Sequence, residues 1–276
     1  MDKALNYIFG FLLILTFTWK GMAEDHIRIF LAISLAGLLL LPALILNWIT
    51  ADGYRAALVF GTVILGLGGW VMAALVLLFF VSGSILTRER ERFLRATGEE
   101  MSEKVERRSG SQVWANGFWI GLFVVVWFLT GDSLFLIAAA ASVATATADT
   151  WATEIGNRKH VPTRLISDLS RVEPGTEGGV SLNGLVGAFS GALFIGISWL
   201  LLHHSLNMQT GAVIVVSGFA GCLLDSLLGA LFQYRKIGRS IRFLRTISVP
   251  ERANNWVNWA ATGAGGFIAL LMMQWI

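Results

Sequence analysis

The chain has 276 residues, 55% hydrophobic and 14% charged, with a mean hydropathy of +0.67. Soluble domains carry about 25% charged residues, so this composition excludes a soluble enzyme and calls for a protein embedded in a membrane. The net charge of +3 and pI near 9.3 come from basic residues in loops beside apolar runs, so topology rather than a nucleic-acid partner is their cause.

The charges are bunched and leave apolar runs of roughly 17 to 25 residues, long enough to cross a hydrocarbon core as helices. These runs are continuous rather than alternating, which argues against a β-barrel. The expected fold is all-α: a polytopic transmembrane helix bundle forming one integral membrane domain. Cys222 is the only cysteine, which excludes intramolecular disulfides.

The first run, 4–19, reads as a span rather than a signal peptide. No small-residue cleavage site follows it cleanly, and Trp19-Lys20 has the character of an interfacial anchor. The second, 27–48, contains Pro42, which a membrane helix tolerates when neighbours satisfy the freed backbone. These two spans form an N-terminal pair within 1–50, ahead of a bundle over 51–276.

Residues 51–86 are apolar throughout, with Gly66, Gly68 and Gly69 in the middle. At 1.5 Å per residue this is too long for one comfortable span, and it predicts a tight hairpin of two short helices. A second hairpin joins 113–130 to 134–148 around Gly131-Asp132, and a third joins 182–202 to 211–232. A last span covers 256–275. The count is nine spans, or eight if 51–86 is one tilted helix.

The three hairpins form a weak internal repeat, each followed by a polar loop. Their second helices end in comparable small and polar sequences: SGSILT from Ser82, TATADTWATEIG from Thr145 and CLLDSLLGALFQ from Cys222. The repeat predicts that these three ends meet. The loops 87–112, 157–174 and 234–252 hold most of the Lys and Arg, so the positive-inside rule puts them, and the active face, in the cytoplasm.

Asp149 and Asp225 each close an otherwise apolar helix. An acid there is expensive unless it faces protein, water or a cation. Asp149 follows Ser142 and Thr145 on one helical face, while Gly221, Asp225, Gly229 and Gln233 recur every fourth residue. Two acids from corresponding helix ends suggest a divalent cation, Mg²⁺, held by a few carboxylate oxygens and substrate phosphates. Glu154 lies five residues after Asp149 and can join it as a metal ligand only if the helix ends or unwinds near Trp151.

The segment Pro174-Gly175-Thr176-Glu177-Gly178-Gly179-Val180-Ser181-Leu182-Asn183-Gly184 leads directly into a helix. Glycines let backbone N–H groups turn toward an anion, and the helix N-terminus adds partial positive charge. A phosphate cradle is expected over Gly175, Thr176, Glu177, Gly178, Gly179, Ser181 and Asn183, with Ser226, Asn254 and Asn258 on the nucleotide side. Lys159, Arg164 or Arg88 can offset the remaining phosphate charge. Thr87, Arg88, Gln112 and Asn116 cluster near the same predicted face and are candidates for substrate binding.

The ordered combination of ADTWATEIG, PGTEGGVSLNG, GCLLDSLLGALFQ and NNWVN, with SGSILTRER and QVWANG upstream, resembles an integral membrane family. That family includes transmembrane protein 19 and the plant phytyl-phosphate kinase of vitamin E synthesis. The resemblance runs from about Ala51 to the C-terminus. It implies transfer of a phosphoryl group from a nucleoside triphosphate to a phytyl or polyprenyl monophosphate.

A more distant resemblance to the CTP-using dolichol and phytol kinases aligns with Ala148-Asp149 and with Gly175-Thr176-Glu177-Gly178-Gly179. It implies CTP as co-substrate. One departure is the loop before Gln112, where only Arg107, Arg108 and Ser109-Gly110-Ser111 represent the basic and aromatic residues that often precede Gln-Val.

The same cation and phosphate cradle suit a nucleotidyltransferase making a CDP-activated lipid. The hairpin repeat with its intramembrane acids also suits a lipid-phosphate transporter or flippase. The expected partners are an isoprenoid phosphate lipid, a nucleotide and membrane lipids, with self-association left open.

Overall fold

In a computed structural model of the chain, the residues described are 2–21, 23–96, 107–156, 161–203, 207–234 and 250–275. Helices α1 (Asp2–Lys20) and α2 (Ala23–Ile45) precede α3 (Ala51–Ala96), α4 (Gly110–Thr130) and α5 (Leu134–Gly156). Three short strands follow, β1 (Thr163–Leu165), β2 (Arg171–Val172) and β3 (Gly179–Ser181). Then come α6 (Leu182–Leu202), α7 (Met208–Leu228) with a π-helical end over Gly229–Tyr234, and α8 (Pro250–Met273). Seven of the described helices are long and apolar enough to cross a membrane, α3 counted once, so the fold is a polytopic all-α bundle.

The bundle is organised around α5. Every residue from 136 to 148 is buried, as expected of a helix that is apolar all round. Helices α3, α4, α6, α7 and α8 all pack against it. Small residues permit this crowding: a Cβ on Gly187 of α6 would lie 2.8 Å from the Trp151 carbonyl oxygen, and one on Gly191 would lie 3.0 Å from that of Thr147. Large side chains face outward, as in the stripe Val186, Phe189, Leu193, Ile197 and Leu201 on α6. This inverted distribution suits a bundle whose outer solvent is lipid and whose helices associate by close backbone approach.

The expected hairpin in 51–86 is present. Within α3, Gly69 has φ 74° and ψ −174°, a backbone state that only glycine adopts readily. There the chain doubles back. Thr50 N donates to the Arg108 carbonyl at the start of the first half, while the Arg108 guanidinium lies 5.0 Å from the rings of Phe79 and Phe80 in the second. A straight helix would separate positions 50 and 80 by roughly 45 Å.

The loop between α5 and α6 is not only a turn. It forms a three-stranded antiparallel sheet in the order β2-β1-β3, pairing Thr163 with Val172 and Ser181, and Leu165 with Gly179. Ser181 ends this sheet and begins α6, where its hydroxyl accepts from Gly184 N at 3.1 Å as an N-cap.

Candidate functional site

The three helix ends of the sequence repeat do meet, and α5 is the element that joins them. Trp151 Nε1 donates to Ser82 Oγ at 3.2 Å, and Thr87 Oγ1 donates to Glu154 Oε1 at 2.6 Å, tying the second half of α3 to α5. On the other side the carboxyl of Asp149 is hydrogen-bonded to that of Asp225 from α7. Both aspartates are half-buried. Two carboxyl groups this close share a proton or a cation, because two bare carboxylates repel.

Glu177 acts electrostatically on both aspartates, and the glycine-rich loop brings it there. Thr176 N donates to the Glu173 carbonyl and Gly179 N to that of Thr176, so two turns follow one another, with Gly175 (φ 85°) and Gly178 (φ 77°) at their third positions. Gly178 also lies directly on the Ala230 backbone of the π-helical turn, where any Cβ would collide. The loop is thereby seated on the end of the helix that carries Asp225.

Glu154 leaves α5 on a different face from Asp149. The helix does not unwind near Trp151 but continues to Gly156, so five residues rotate Glu154 by about 140° from Asp149. It still acts electrostatically on Asp149. Its carboxylate receives the Thr87 hydroxyl and pairs with Arg90 at 3.4 Å. The Nε–H of Arg90 is buried with no hydrogen-bond partner among the described residues.

Arg108 completes this second cluster. Its guanidinium and the Thr150 methyl group both press on Gly83. Burial pushes its pKa down to about 10, a fall opposed by the nearby Glu154 carboxylate. Arg108 therefore stays cationic at neutral pH.

Among the described residues no group of three or more His, Cys, Asp or Glu side chains is placed to hold a metal ion. The protein side of a cation site here is the carboxyl pair, with Glu177 nearby. That donor set fits Mg²⁺, which is commonly held by one or two carboxylates together with substrate phosphates and waters.

The family model described as "Integral membrane protein DUF92" matches residues 33–266. The chain belongs to this family. It is 30% identical over 249 residues to an uncharacterized membrane protein of Methanocaldococcus jannaschii, covering 90% of this chain and 96% of that one. It is 26% identical over 242 residues to Protein PGR of Arabidopsis thaliana, covering 75% and 83%, and 25% identical over 263 residues to chloroplastic Protein VTE6 of the same plant, covering 94% and 73%. No solved structure matches. DUF92 is consistent with the family that the motifs resemble.

The other anticipated residues of this DUF92 chain divide by what they touch. Arg164 is exposed on β1 and donates to the Leu169 carbonyl at 2.8 Å, closing its own turn. Arg88 pairs with Glu91 and caps the end of α2 through the carbonyls of Leu46 and Asn47. The Thr176 hydroxyl donates to the Glu173 carbonyl, and that of Ser181 to the Gly156 carbonyl. Gln112 forms the capping box of α4 with Ser109, and Asn116 donates to the Gln112 carbonyl. Asn183 is exposed at the start of α6, Ser226 follows Asp225 on α7, and Asn254 and Asn258 are half-buried one turn apart on α8. Lys159 lies outside the described residues.

The polar stripe leading to Asp149 is engaged in packing: Ser142 donates to the Thr262 carbonyl of α8, and Thr145 to the Ala141 carbonyl of its own helix. Arg90 was not among the anticipated site residues, and Arg108 figured only in the loop before Gln112. Their signal was an arginine pair, Arg107-Arg108, immediately before a helix cap, and an arginine one turn beyond SGSILT.

Proposed function

We propose that the protein is an isoprenoid monophosphate kinase, transferring the terminal phosphoryl group of a nucleoside triphosphate to a prenyl phosphate. The observation that carries this reading is the carboxyl pair Asp149–Asp225, with Glu177 beside it and the cationic Arg90–Arg108 cluster on the next face of α5. Phosphoryl transfer asks little covalent chemistry of a protein and depends on positioning and charge neutralisation. Membership of DUF92, the motif resemblance to phytyl-phosphate kinase and the similarity to Protein VTE6 support the substrate class.

An oxygen of the prenyl phosphate attacks the terminal phosphorus, the bond to the bridging oxygen breaks, and the nucleoside diphosphate leaves. A phosphate monoester, with a second pKa near 6, is already mostly dianionic at neutral pH, so no strong general base is required. Asp149 and Asp225 would hold Mg²⁺, which supplies charge neutralisation on the donor phosphates when bound. Arg108 and Arg90 hold positive charge toward the acceptor. CTP is the nucleotide favoured by the distant resemblance to dolichol and phytol kinases.

The test incubates purified protein with Mg²⁺, each nucleoside triphosphate and a panel of prenyl monophosphates, with products resolved by mass. A prenyl diphosphate together with a nucleoside diphosphate establishes the kinase and names its substrates. Release of pyrophosphate with formation of a nucleotidyl lipid overturns it in favour of nucleotidyl transfer.

A further inference from the structure

Between α2, the two halves of α3 and the start of α4 lies an apolar slot of about 130 Å³. Ala57, Gly61 and Ile64 line it from the first half of α3, and Ala73, Leu77 and Phe80 from the second. Its lining is apolar except where Arg108, Gln112 and Asn116 border it near the start of α4. There the guanidinium lies over the rings of Phe79 and Phe80, 5.0 Å from each. Leu39 and Leu77 also line the slot and are 53% and 41% exposed, so it opens sideways on the outer surface of the bundle, where lipid lies.

We infer that this slot is the acceptor site for a single-chain isoprenoid monophosphate, whose head-proximal unit it holds while Arg108 pairs with the phosphate. Charge and shape select the occupant. A cationic residue bordering an otherwise apolar slot that opens toward lipid suits an anionic amphiphile. The volume resembles that of a cavity that accepts benzene, which is room for roughly one isoprene unit. The rest of the chain passes between Leu39 and Leu77 into the bilayer.

The position suits transfer. Arg108 and Thr150 share the surface of Gly83, and Thr150 adjoins Asp149. Arg108 thus lies beside the turn of α5 that follows Asp149, and the Nε–H of Arg90, with no hydrogen-bond partner among the described residues, is on the Glu154 side of that helix. Gln112 caps the start of α4 and Asn116 donates to the Gln112 carbonyl, while Arg108 is the cation of the three and is assigned to the head group. This assignment rests on the kinase reading for its choice of a monophosphate, and it can be measured without turnover.

The experiment measures binding of radiolabelled farnesyl monophosphate, and separately of farnesol, to the full chain in nanodiscs without nucleotide. Gly61→Leu and Ala73→Phe fill the slot and should weaken both ligands by about 10-fold or more. Arg108→Gln should weaken farnesyl phosphate by a similar factor and farnesol little, with Arg108→Lys intermediate because it keeps the charge but not the planar fork. Should the arginine variants not fold, a benzophenone-tailed farnesyl phosphate on the unaltered protein should label 36–40 or 73–80.

Unchanged binding in both filled variants, equal loss of farnesol and its phosphate in Arg108→Gln, or labelling confined to other segments overturns the assignment. Saturable binding with these variant effects but no diphosphate from any nucleotide leaves the slot standing and removes the kinase. Diphosphate formation with slot variants that bind normally does the reverse.

Discussion

Asp149 on α5 and Asp225 on α7 are hydrogen-bonded carboxyl to carboxyl although 76 positions separate them in the chain. If the pair holds Mg²⁺ as proposed, neutralising either should remove that site and leave the helices packed. Asp149→Asn and Asp225→Asn are each expected to lower turnover by roughly 10³-fold, comparable to loss of a principal electrostatic group in other active sites. The double variant should be little worse than either single one, since the pair acts as a unit. Turnover within a few-fold of the unaltered protein in either single variant takes that residue out of the site.

Glu154 makes the opposite prediction because its partners are Thr87 and Arg90. Glu154→Gln should lower the melting temperature and reduce turnover less than Asp149→Asn, with the Mg²⁺ concentration for half-maximal activity unchanged. A rise of about 10-fold in that concentration, equivalent to 1.4 kcal/mol, would put Glu154 in the cation site.

Gly178 holds the glycine loop on the end of α7. Gly178→Ala brings a left-handed backbone cost of roughly 1–2 kcal/mol together with a collision against Ala230. The loop should lift, moving Glu177 from the aspartates, with turnover and melting temperature both falling. Gly10→Ala is the control, because a Cβ there meets nothing within 4 Å. Equal behaviour of the two variants would show that the loop does not need its seat.

Trp70 follows the turn at Gly69 and is 56% exposed. If both halves of α3 span the membrane, a cysteine at Trp70→Cys, introduced into a Cys222→Ser background, is labelled by an impermeant maleimide from the face opposite the carboxyl pair. Labelling from the same face as Arg92, which is exposed at the other end of α3, would mean that the hairpin does not cross.

The sequence by itself determined the membrane class, because 14% charge gathered into loops leaves helices of spanning length as the available backbone solution. It also placed the doubling back near Gly66, Gly68 and Gly69, since chain length set against bilayer thickness needs no tertiary information. The repeat of small and polar helix ends was enough to predict that Ser82, Thr145–Gly156 and the end of α7 meet.

Only the tertiary structure decided which side chains share a face once they met. Rotation about α5 separates Glu154 from Asp149, and this depended on the helix continuing to Gly156, where the buried Ser181 hydroxyl bridges it to α6. Strands of two and three residues are too short to show a two-residue period, so the sheet that shapes the loop of Glu177 left no pattern in the chain. Arg108 owes its position to Phe79, Phe80 and Gly83 from a helix more than twenty positions earlier. A contact between surfaces brought together by folding has no local signature, and the physical reason is that packing, not propensity, fixes it.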